Sequence, residues 1–192
     1  MNSGLAGWRI AALLFSSLEK YYAMIDHFKM FAAYNQWANA VIYDAAAELT
    51  EPEYRQETGA FFGSVHGTLN HILAADRIWM KRFTGSGDAP TRLDALLYDD
   101  LPALRQARQA GDSRIIDWIA ALPEESLQNR FTYTPITNPV AITQALSPAL
   151  AHFFNHQTHH RGQVHGMITA CGRPSPVLDL VYFLRDRGRQ WL

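Results

Sequence analysis

Four long stretches with apolar residues at three- and four-residue steps, parted by clusters of Pro and Gly, constrain this chain to helices packed side by side. The first runs from Asp26 to Leu49, where Phe28, Phe31, Ala32, Asn35, Ala38, Val41 and Ile42 follow helical spacing in an alanine-rich background free of Pro and Gly. Thr50, Pro52 and Gly59 interrupt it. The second spans about Ser64 to Phe83, with Leu69, Ile72, Leu73, Ile78 and Trp79 as its buried stripe and Gly85, Gly87 and Pro90 behind it. The third, roughly Asp99 to Ala121, carries Leu104, Ile115, Ile116, Trp118 and Ile119, with Gly111 as a candidate break and Pro123 as its stop. For the fourth, Ser147 is placed to cap and Pro148 to take the first helical position, while Gly172 and Pro174 supply the stop.

The expected fold is therefore all-α, a four-helix bundle. Between Arg130 and Val140 the alternation of Phe131, Tyr133 and Ile136 with threonines, broken by Pro135 and Pro139, predicts a short irregular or extended excursion on the bundle's edge, too short to found a sheet. Ser175 and Pro176 open a short C-terminal helix carrying Leu178, Leu180, Val181, Tyr182 and Leu184. Residues 24–192 form one domain in this reading, and residues 1–23 an N-terminal extension, helical or frayed. The run Ile10-Ala11-Ala12-Leu13-Leu14-Phe15 is short for a signal peptide, Glu19 and Lys20 follow it, and no convincing cleavage site appears.

Composition narrows the functions. Seventeen Lys and Arg against eighteen Asp and Glu give a net charge of -1 with no basic block, which argues against direct nucleic-acid binding. No run approaches the roughly 18 apolar residues of a membrane span. Cys171 is the only cysteine, so no internal disulfide forms and a reducing cytoplasm is the expected compartment. Any metal site must then be built from nitrogen and oxygen ligands.

Such a site is expected. Five of the eight histidines fall in the fourteen residues from His152 to His165. His156 and His160 stand four apart, so on a helix their rings rise from one face and can close on a single ion. A metal that keeps a catalytic opening commonly takes three protein ligands plus water. The best third candidate is His71, mid-helix among apolar neighbours, where an unpaired imidazole is costly. The alternative for His71 is a hydrogen-bonded core residue. His152, four before His156, is a further candidate, whereas His159 is turned about 60° away. His27, His66 and His165 read as structural or surface residues.

The same helix excludes two chemistries. His156-Gln157-Thr158-His159-His160 has the histidine spacing of a metalloprotease, but Gln157 stands where the general-base glutamate must be, and an amide cannot take a proton. No Glu-x-x-His pairs occur on facing helices, which disfavours a di-iron carboxylate bundle. Arg161 either holds an anionic substrate group or pairs with Asp76, and the pair is the preferred expectation. Tyr34, Trp37 and Trp79 are candidates to line a pocket, though aromatic stripes at helical spacing are more often core.

Taken together, LNHILAADRIW around His71, HFFNHQTHHRGQVHGMI from His152, and the early Tyr34-Asn35-Gln36-Trp37-Ala38-Asn39 closely resemble the DinB family of bacterial proteins over about Ile25 to Leu184. The resemblance implies a four-helix bundle with a divalent metal on three histidines, carried here by His71, His156 and His160. It also implies homodimers. Named relatives include thiol-dependent S-transferases and an isomerase that uses low-molecular-weight thiols, so a thiol cofactor and a small-molecule substrate are expected. Two functional classes follow. One is a metal-dependent enzyme that activates a thiol or water for transfer to, or hydrolysis of, a small electrophile. The other is a stress-related protein whose metal stabilises the bundle or dimer without turnover. Three imidazoles suit Zn, Ni, Fe or Cu, with Zn or Ni preferred.

Overall fold

The structure is a computed structural model and describes residues 23–192. The N-terminal extension expected over residues 1–23 lies outside them, apart from its last residue. Four long helices dominate: α1 (Met24–Ala47), α3 (Val65–Thr84), α4 (Leu101–Ala121) and α5 (Leu146–Ala170), with short α2 (Glu51–Arg55) and α6 (Leu180–Asp186). Around the bundle α1 touches α4 and α5, and α3 touches the same two, so the helices close a ring in the order α1, α4, α3, α5. The all-α expectation holds, and among the described residues no helix is long and apolar enough to cross a membrane.

Helix ends follow local chemistry in most places. Ser64 caps α3 by accepting from the Gly67 N–H, and Gly85 ends it in the left-handed region at φ 71°. Asp100 caps α4 through the Ala103 N–H at 2.8 Å. At α1 no side chain caps from the neighbouring residue; instead Glu124, from the 3-10 turn Glu124–Gln128, accepts from the Ile25 N–H at 2.8 Å and brings negative charge to the helix N-terminus. Thr50 and Glu53 form a capping box that starts α2, a turn the Pro52 signal had hidden.

Four expectations about the elements require correction. α5 starts at Leu146 with Ala145 at its cap and no side-chain cap bond, because Ser147 and Pro148 already lie inside its first turn. Gly111 neither breaks nor ends α4, which runs through it to Ala121; Leu73 from α3 and Arg108 pack over the glycine and leave little room for a side chain there. The C-terminal helix begins at Leu180 rather than at Ser175-Pro176. The extended excursion does found a sheet: β1 (Arg130–Tyr133) pairs antiparallel with β2 (Ile142–Ala145), from Arg130 opposite Ala145 to Tyr133 opposite Ile142. The Leu146 N–H donates to the Asn129 carbonyl at 2.9 Å, so the hairpin feeds directly into α5.

The core is apolar toward both ends of the bundle and polar between. Phe28, Ile115, Ile119, Leu150 and Phe153 fill one end; Ile42, Leu69, Leu73, Leu104 and Val164 fill the other. Between them a buried charge network links all four long helices. Asp76 on α3 accepts from Arg108 on α4 at 2.5 Å, and Arg108 stands 3.0 Å from Asp112 one turn on. Asp112 accepts from the side-chain amides of Asn35 and Asn39 on α1 at 3.2 and 2.9 Å. Their amide oxygens accept in turn from Arg161 on α5. Two carboxylates thus balance two guanidinium groups out of water, the arrangement that makes such burial tolerable. The pair expected between Arg161 and Asp76 is therefore replaced: Asp76 binds Arg108, and Arg161 is held by neutral amides, the Thr158 hydroxyl and the Tyr34 ring.

Candidate metal centre

His71 enters from α3, and His156 and His160 from the neighbouring helix α5, as four-residue spacing dictates. Their ring nitrogens converge: one ligand atom from each lies within 4.8 Å of the other two, and His71 Nε2 stands 3.3 Å from His156 Nε2. Two nitrogens each about 2.0–2.1 Å from a tetrahedral ion stand roughly 3.3–3.4 Å apart, so this pair already has the required separation. The donor set fits a divalent ion that accepts imidazole.

The outer nitrogens fix which atoms face inward. His71 Nδ1–H donates to the Leu93 carbonyl at 2.7 Å, and His160 Nδ1–H to Gln163 Oε1 at 2.7 Å. Each bond leaves Nε2 with its lone pair toward the centre, the usual way an outer partner orients a ligating histidine. The Leu93 carbonyl is held there because buried Asn70 pins its loop, accepting from the Leu97 and Tyr98 N–H groups at 2.8 and 3.0 Å. Phe62 stacks on the His71 ring at 3.6 Å between centroids and meets His160 edge-on, covering one side.

Electrostatics favour ligation. Burial pulls the His71 ring down to about 4 and His156 to about 3, the latter further depressed by the neighbouring imidazoles. Burial lowers His160 as well. All three are neutral near pH 7, the state in which an imidazole can ligate.

Other sequence candidates fall outside this group. His152 is largely exposed, its ring 5.8 Å from that of His156 and 5.1 Å from Trp79, and its pKa is lowered by partial desolvation against these rings and then by nearby Arg82. His66 is buried and bonded to the Tyr98 carbonyl, His165 meets Ser175, His27 packs edge-on against Phe31, and exposed His159 lies beside His160. Gln157, in the would-be glutamate position, is fully buried. The expected aromatic pocket is not assembled: Tyr34 and Trp37 pack on Phe183 of α6, and only Trp79 stands near the histidines, through His152. Sequence reasoning passed over Phe62, the Leu93 carbonyl and Gln163. Of these Gln163 was readable, three residues after His160 on the same helical face.

Comparison with known proteins agrees with this architecture. The family model described as DinB family matches residues 24–190. Protein DinB of Bacillus subtilis (strain 168) is 29% identical over 166 residues, which cover 82% of this chain and 92% of that protein. The match takes in all four long helices and the three clustered histidines, and the chain belongs to the DinB family.

Proposed function

We propose that His71, His156 and His160 hold one divalent metal ion and that the protein is a metal-dependent enzyme acting on a small electrophile. The observation that carries this is the convergence of three neutral imidazoles, two of them locked by outer hydrogen bonds, with His152 outside the group. Three protein ligands leave a position open, which favours catalysis over a closed structural site. When bound, the ion supplies a Lewis-acid position that lowers the pKa of a coordinated water or low-molecular-weight thiol toward neutrality. The chain's own residues do the rest. Leu93 and Gln163 hold the rings in register, and Phe62 keeps bulk water from one side of His71.

In this reading the ion is zinc or nickel, with iron or copper also compatible with three imidazoles. The domain comprises residues 24–192, preceded by the extension, and works as a cytoplasmic homodimer. The test is cobalt substitution of the full chain. Tetrahedral cobalt absorption that gains a thiolate charge-transfer band on adding small thiols supports an open, thiol-accepting site. Cobalt that loads but ignores thiols and other exogenous ligands favours the non-catalytic reading.

A further inference from the structure

A small molecule held at one point needs a second contact to be oriented. On the face of α3 that carries His71, Trp79 follows about two turns later and Arg82 about three. The Arg82 guanidinium lies over two aromatic rings, 4.6 Å from the centre of Trp79 and 4.5 Å from that of Tyr133 on β1. Two rings fix it in place without using its N–H donors. Among the described residues its one hydrogen bond is to the Thr134 carbonyl at 3.5 Å, and it makes no salt bridge. Arg55, Arg105, Arg108 and Arg173 face carboxylates, while Arg77 and Arg114, like Arg82, meet neutral oxygens; of these three Arg82 alone is sandwiched by two aromatic rings. Arg82 is thus a half-buried cation, preorganised and without a countercharge among the described residues, a state that burial makes unfavourable unless an anion completes it.

Its location gives that anion a purpose. Trp79 lies against His152, and His152 against the candidate ligand His156. The contact chain from Arg82 through Trp79 and His152, in steps of 4.6, 5.1 and 5.8 Å, puts the guanidinium within about 16 Å of the His156 ring. We infer that Arg82 binds an oxyanion of the molecule that engages the metal, so the substrate class is a small molecule whose carboxylate or phosphate end and metal-binding atom together span that gap. This inference rests on the metal-dependent reading above.

The test uses the cobalt-loaded full chain and three homologous series of increasing chain length: ω-mercaptocarboxylates, ω-mercaptophosphonates and ω-mercaptoalcohols. At the length that spans the gap, one of the anionic thiols binds about tenfold tighter than the alcohol, as expected for one charge-assisted contact, and which series gains names the anion. R82Q abolishes that preference with cobalt content intact, and R82K keeps part of it. If Arg82 merely staples the hairpin to α3, R82Q lowers the melting temperature and leaves any anion preference unchanged; that outcome, or no preference in the parent protein, overturns the inference while the metal site stands. Failure of cobalt to load, or of every thiol to give a charge-transfer band, overturns the metal-dependent reading and this inference with it.

Discussion

At the scale of single residues, spacing and neighbours decide what each histidine does. His156 and His160 were legible as a pair because a four-residue step has one geometric meaning on a helix, and His71 because an imidazole among apolar neighbours needs a partner. The partner of its far nitrogen was not legible, since the Leu93 carbonyl belongs to a loop whose path no periodicity encodes. The depressed pKa values set a pH dependence. A histidine whose folded pKa lies below the ordinary 6.5 contributes its full stability above that value and loses it as pH falls toward about 4 for His71 and about 3 for His156. The metal-free protein should therefore melt at progressively lower temperature on acidification below about pH 6.5. The His71→Asn, His156→Asn double variant should show a shallower decline, as thermal melts in chelator across that range will measure; an equal slope would contradict the burial argument.

At the scale of elements, the bundle helices were readable to within a turn, while the joins were not. Ser147 looked like a cap, but the hairpin ahead of it already directs the chain into helix, so α5 begins two residues earlier. The second strand, Ile142–Ala145, carried too little alternation to declare itself, and pairing with Arg130–Tyr133 supplied what the local sequence lacked. The loop between α3 and α4 bears most directly on the site. Asn70 holds it through two backbone N–H groups and thereby aims the Leu93 carbonyl at His71. Asn70→Ala should cost about 1–3 kcal/mol of stability from the unpaired groups. It should also weaken metal retention about tenfold or more, in line with loss of an outer partner. Chelator competition on the variant checks this, and undiminished retention would show that the loop does not orient the ring.

At the scale of the whole molecule, the four helices are joined by one polar network as well as by apolar contact. Asp76, Arg108, Asp112, Asn35, Asn39 and Arg161 were each visible as polar residues within helical stretches, but which acid meets which base depends on how the helices close in a ring. A double-mutant cycle should give Asp76 and Arg108 a coupling of about 2 kcal/mol or more, larger than that between Asp76 and Arg161. The reverse order would restore the pairing expected from sequence. The same closure brings His71 to His156 and His160, and on that meeting the functional reading depends. The most direct measurement is elemental analysis of untagged protein beside His71→Ala and His156→Ala variants. About one divalent ion per chain, lost in both folded variants, is the predicted result; absence of metal, or metal retained in either variant, would contradict the three-histidine centre.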